Sequence, residues 1–129
     1  MTDNDVNNEL EKINNYLAKT PWMDFELVQI NPFTIKICGC IDTTYNETAI
    51  EIVFEQPHFI SCLLDWTYEN KKPFIQLAPA NEEFLYNSKY KVEIGNYIFK
   101  ISGEDVDDSA MAIAAKKIYC NILIENPFK

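Results

Sequence analysis

The hydrophobic period of this chain changes once, near Pro21, and that change restricts the fold more than any other feature. Val6, Leu10, Ile13 and Leu17 recur three or four residues apart, which places them on one face of a helix. Asp3 or Asp5 can cap its start, and Lys19-Thr20-Pro21 supplies the stop. Beyond Trp22 the period becomes two. Phe33, Ile35, Ile37 and Ile41 form one alternating row, and Ile50, Ile52 and Phe54 a second. Tyr90, Val92 and Ile94 form a third, and Tyr97, Phe99 and Ile101 a fourth. Such rows are expected of antiparallel strands with one face in a core and the other toward water. Asp42–Asn46 and Gly95-Asn96 read as hairpin turns, while Phe59–Leu64 and Pro73–Leu77 read as shorter strands. The stretch 110–117 admits two readings, an Ala-rich helix capped by Asp107-Asp108-Ser109 or the start of a long strand running on through Ile118–Ile124. The long strand, paired with Tyr97–Ile101 across an acidic loop, is preferred. The expectation is one α+β domain over 1–129, an N-terminal amphipathic helix packed on a mainly antiparallel sheet of about six strands.

Composition narrows the partners. The net charge is −9, and it is lopsided: residues 1–66 hold eleven acids against Lys12, Lys19 and Lys36. Between Ile37 and Asn70 stand Asp42, Glu47, Glu51, Glu55, Asp65 and Glu69 with no base. A one-sided negative field repels nucleic acid and anionic membrane and attracts basic surfaces. The chain has no arginine, so it lacks the bidentate fork used for phosphate and base edges. Its acidic N-terminus has no apolar run behind it, and no stretch nears the roughly 18 apolar residues of a membrane span. Four cysteines without an export signal point to reduced thiols and a cytoplasmic protein. The sequon Asn46-Glu47-Thr48 is then without consequence.

Sites of chemistry fail on spacing. Cys38-Gly39-Cys40 is a C-x-C inside a strand pattern, with Cys62 and Cys120 far off singly, unlike the paired thiols of zinc sites. His58 and Cys62 on one strand would stand about 13 Å apart, without a third orienting group. A calcium loop begun at Asp105 puts Ala110 where glycine is required and Lys116 where the bidentate carboxylate belongs. Asn-Pro-Phe at 31–33 and 126–128 reads as turn initiation beside a strand. Three glycines cannot build a phosphate cradle. These readings predict no catalytic group, metal or cofactor.

The acidic strand is a better candidate. Glu47, Ala49, Glu51, Val53 and Glu55 share one face by alternation, and Glu51 and Glu55 stand clear of any local lysine. Asp65-Trp66-Thr67-Tyr68-Glu69 interleaves acids with large aromatics, the mixture found at binding hot spots. The partner-binding set expected here is Glu47, Glu51, Glu55, Asp65, Trp66, Tyr68 and Glu69. The acidic loop Glu104, Asp105, Asp107 and Asp108 is the second candidate.

Three stretches carry a resemblance: Ile35-Lys36-Ile37-Cys38-Gly39-Cys40-Ile41-Asp42, then Ala49-Ile50-Glu51-Ile52-Val53-Phe54-Glu55, then Tyr97-Ile98-Phe99-Lys100-Ile101 leading to Ala114-Ala115-Lys116-Lys117-Ile118. With the acidic charge and small size, the chain from about Phe25 onward resembles the immunity proteins of bacterial toxin–immunity systems, including contact-dependent growth inhibition and polymorphic toxins. The resemblance implies a non-enzymatic cytoplasmic inhibitor that binds and neutralises a basic cognate toxin domain, most plausibly a nuclease. It assigns no residue a role. The competing classes are a small ligand-binding domain or enzyme, with a pocket between helix and sheet lined by Trp22, Phe25 and Tyr90, and an adaptor that uses an exposed strand edge.

Overall fold

The computed structural model describes residues 1–41 and 47–125. The N-terminal helix, α1 (Asp3–Ala18), forms as its period dictates, with Val6, Leu10, Ile13 and Leu17 buried together with Tyr16. Thr2, rather than Asp3 or Asp5, is the N-cap. Its hydroxyl accepts from the Asp5 N–H at 3.1 Å, and the Asp5 carboxylate accepts from the Thr2 N–H at 2.9 Å. Thr20 closes the other end by donating its hydroxyl to the Leu17 carbonyl.

Seven strands follow: β1 (Trp22–Ile30), β2 (Thr34–Cys40), β3 (Thr48–Ser61), β4 (Asp65–Glu69), β5 (Ile75–Leu77), β6 (Tyr97–Ile101) and β7 (Ala112–Ile122). They make one sheet in the order β4-β1-β2-β3-β7-β6-β5, and every pairing is antiparallel. The architecture is α+β with the helix on the sheet, one strand richer than the sequence suggested. Two strands were not expected, β4 and β1; in β1 Met23 and Phe25 point into the core and Asp24 and Glu26 point out. The long reading of the C-terminal strand holds, since Tyr97 pairs with Ala115 and Lys100 with Ala112.

Several expectations fail. The stretch 59–64 is not a strand of its own: residues 59–61 continue β3, and the chain leaves the sheet before Leu64. The row Tyr90, Val92, Ile94 is not a strand, and Gly95-Asn96 does not join two strands. A second helix, α2 (Ala80–Lys89), fills this region, and the chain leaves it through a turn in which the Val92 N–H donates to the Tyr86 carbonyl and Lys91 is left-handed (φ 58°). Phe33 does not start a core row either. It sits at the tip of the β1–β2 hairpin, 79% exposed, where the Asn31 side chain accepts from the Phe33 and Thr34 N–H groups and forms the turn. The expected turn at 42–46 and the second Asn-Pro-Phe lie outside the described residues.

The sheet is curled. Ser102 N–H donates to the Phe74 carbonyl and Glu104 N–H to the Thr67 carbonyl, so the chain leaving β6 meets β4, the strand at the far end of the order. Gly103 permits this approach, because a Cβ there would lie 2.9 Å from Trp66 Cδ1. At Pro57–Phe59 the β3–β7 register shifts, and Gln56 is left-handed (φ 54°), which turns the sheet further. The inner face carries the main core, with Phe25, Phe54, Phe74 and Phe99 fully buried, and α1 lies across it on β7 and β5. Among the described residues the outer face is covered in one place. There Tyr86 of α2 packs with Phe59 over Ile98, Ala112 and Ala114. The pairing of β6 with β7 ends at Ala115. Beyond it, the Ile118 N–H meets Met1 Sδ at 3.4 Å and the Cys120 carbonyl accepts from Lys12 Nζ at 3.0 Å.

Candidate functional site: an acidic outer sheet face

The half of the outer face that α2 leaves uncovered is read across strands. Side chains paired in register project to the same side, and one such row runs Asp65 (β4), Glu26 (β1), Cys38 (β2), Glu51 (β3), Asn121 (β7). Asp65 and Glu51 are three strand spacings apart, about 14 Å. The neighbouring row holds Thr67, Asp24 and Cys40, with the Thr67 hydroxyl donating to Asp24 Oδ1 at 2.7 Å. On the other side come Lys36, Val53 and Tyr119, then Thr34, Glu55 and Lys117. Asp24, Glu26, Asp65 and Cys40, with Phe25, Trp66 and Thr67, line a cleft of about 300 Å³. Burial, then the Glu51 carboxylate, push the Cys38 thiol up to about 11, so it contributes a neutral floor rather than a nucleophile.

The structure sorts the predicted residues. Glu51 and Glu55 are outer-face groups, both half-buried, and neither is clear of lysine. Lys36 Nζ stands 3.5 Å from Glu51 on the adjacent strand, and Lys117 pairs in register with Glu55. Glu47 is exposed just before β3, and Ala49 leaves the expected face for the core because the β2–β3 register slips beside it. Asp65 is exposed and adjoins Glu26. Glu69 is at the far end of β4, ion-paired with Lys71 at 2.9 Å. Trp66 and Tyr68 do not serve as surface anchors. They are 6% and 3% exposed, Trp66 stacked on Phe25 at 5.8 Å and Tyr68 edge-on to Phe74 at 5.1 Å. Alternation along β4 sends the aromatics inward and Asp65, Thr67 and Glu69 outward.

Charge compensation separates the two acidic candidates. Lys72 engages Asp108 and holds its carboxyl below the usual range, while Lys71 engages Glu69 and feels Glu104 and Asp105. Glu104 is raised by its hydrogen bond to Glu69. Two lysines thus offset part of the charge of Glu69 and the loop, although among the described residues Glu104, Asp105 and Asp107 form no ion pair of their own. Among the described residues no lysine forms an ion pair with Asp24, Glu26 or Asp65. Sequence reasoning missed Asp24 and Glu26, although their alternation with Met23, Phe25 and Leu27 was there to be read. It also missed exposed apolar groups at that end of the sheet: Leu64 is 74% exposed beside Leu27, Val28 and Phe33 are exposed along the hairpin tip, and Ile30 is exposed on the side of its register partner, core residue Ile35.

Trp22, Phe25 and Tyr90 do not line a common pocket. Phe25 is in the core, Trp22 belongs to the outer row with Glu69, and the Tyr90 ring lies tilted beside α2, 5.6 Å from that of Tyr86. The space that α1 does form is a cleft of about 820 Å³ against the end of β7, lined by Lys12, Tyr16, Lys19, Cys120 and Leu123. Among the described residues no three His, Cys, Asp or Glu side chains converge as metal ligands, and no helix is long and apolar enough to cross a membrane.

Fold and face together define a class: an α+β domain whose curled antiparallel sheet offers an acidic, open outer surface. Comparison of the chain with protein-family models, curated proteins and solved structures finds no match.

Proposed function

We propose that this protein is a non-enzymatic binder that captures a basic protein partner on its outer sheet face. The partner class is the one implied by the resemblance to immunity proteins: a cognate toxin domain, met in the cytoplasm, whose active site gathers lysine, arginine and histidine to hold phosphate, as a nuclease does. The observation that carries this reading is the uncompensated set Asp24, Glu26 and Asp65 on an open face, with exposed apolar residues beside it. Charge steers the encounter, and apolar contact at the rim slows dissociation. Phe33 and Leu64, at the end of the sheet, take over the anchoring role first assigned to Trp66 and Tyr68.

Association with the basic domain encoded beside this gene tests the reading. The on-rate falls as salt rises, since the Debye length shrinks from about 10 Å at 0.1 M toward 3 Å at 1 M. Asp24→Asn, Glu26→Gln and Asp65→Asn combined lower the low-salt on-rate about tenfold or more and flatten its salt dependence. Phe33→Ala with Leu64→Ala raises the off-rate at unchanged on-rate. An on-rate unaffected by the triple change removes this face from the interface.

A further inference from the structure

The second helix is not accounted for by its own contacts. At ten residues, α2 is shorter than helices that persist alone in water. Pro79 at its N-cap supplies no side-chain hydrogen bond, and Tyr86 is its one buried residue. On the side away from Tyr86, Phe84 is 72% exposed with Leu85 half-exposed beside it, and Ile94 on the following loop is 89% exposed. Large apolar groups gathered on so weakly held a helix favour a covering surface.

Charge selects what covers it. At −9 the chain as a whole repels its own copies, and the acidic face cannot oppose itself. The α2 region differs. Glu82 and Glu83 lie in the first turn and Lys89 in the last, with Lys91 just beyond, and Glu82 is held by Lys100 at 2.9 Å. Two antiparallel copies of α2 set each acidic first turn beside the other's basic last turn, and their helix dipoles also oppose favourably. A basic partner finds no surplus of carboxylates there.

We infer that the exposed side of α2 is the interface of a homodimer, isologous, with the two-fold axis passing close to Leu85 so that Phe84 and Leu85 pack on their copies. α2 covers the outer face of β6 and the first half of β7, whereas Asp24, Glu26 and Asp65 lie across β3 and β2 from it. Each copy therefore keeps its acidic face open. The inference stands independently of what that face binds.

Sedimentation equilibrium of the full chain up to about 1 mM, the weak end of specific association, tests it. The expected mass at the top of the range is twice the 15.0 kDa of the chain. Phe84→Asp, at an exposed site, leaves the melting temperature unchanged and weakens the dimer at least about tenfold. Leu85→Cys forms a disulfide-linked pair under mild oxidation, which needs Cα atoms within about 7 Å, while Lys116→Cys, at another exposed position, does not. A mass of 15.0 kDa at about 1 mM overturns the inference. So does a Phe84→Asp protein that dimerises as tightly as the parent, or a Leu85→Cys protein that fails to cross-link.

Discussion

Gly39 has the core pressed against it: a Cβ there would come within 2.7 Å of Met23 Sδ and Phe25 Cε1 and 2.9 Å of Ile50 Cγ2. The Cys-Gly-Cys spacing thus serves close packing of β1 and β3 on β2 rather than ligation. Gly39→Ala lowers stability by about 1–3 kcal/mol, read as a reduced urea midpoint at unchanged slope. The thiols tell a matching story. Burial pushes Cys38, Cys62 and Cys120 each up to about 11, and the thiolate is the reactive form. Iodoacetamide at pH 8 leaves these three unlabelled in the folded protein and labels them on unfolding. A thiol whose pKa is raised in the folded state contributes stability that is fully present below its unfolded value of about 9. That contribution is lost as pH climbs toward about 11, so the melting temperature falls across that window.

Among the elements, α1 was the most legible, because one period and one stop signal agree over its whole length. Leu10, at its centre, is buried against the sheet, so Leu10→Asp destabilises by several kcal/mol and lowers the melting temperature sharply. β1 was harder to read. A register shift between Leu27 and Gln29 breaks its alternation, and Trp22, Val28 and Ile30 place apolar groups on exposed positions. The 90–94 row misled for the opposite reason: Tyr90 and Ile94 are exposed and Val92 is buried under the end of α2, an alternation produced by a turn. In β4 the order Asp-Trp-Thr-Tyr-Glu already contained its answer. Period two separates the aromatics from the acids, so both cannot belong to one binding face. The acidic site was legible as a charge bias, yet its members come from strands that neighbour one another only through the sheet order.

For the molecule as a whole, an open acidic face carries a standing cost in the free protein. Glu26 and Asp65 are directly paired across β1 and β4, and like charges so placed repel by roughly 0.5 kcal/mol. Glu26→Gln therefore raises the melting temperature of the free protein slightly, and added salt raises that of the parent more than that of the variant. Equal salt responses show that the repulsion lies elsewhere. The half of β7 beyond its pairing with β6, held in the sheet by β3 alone, governs when the molecule can be completed. α1 is fastened to it by Lys12 and Glu9 at Cys120 and by the Tyr16 hydroxyl at the Ile124 carbonyl. These contacts join residues 108 to 111 positions apart. At synthesis rates of about 5–20 residues per second, the helix leaves the ribosome several seconds before the strand that receives it. Throughout that interval the face of Val6, Leu10, Ile13 and Leu17 is only partly covered, and a nascent chain halted short of Ala112 can hold its first helix on β5 alone, through Asn14 and the Ile75 backbone.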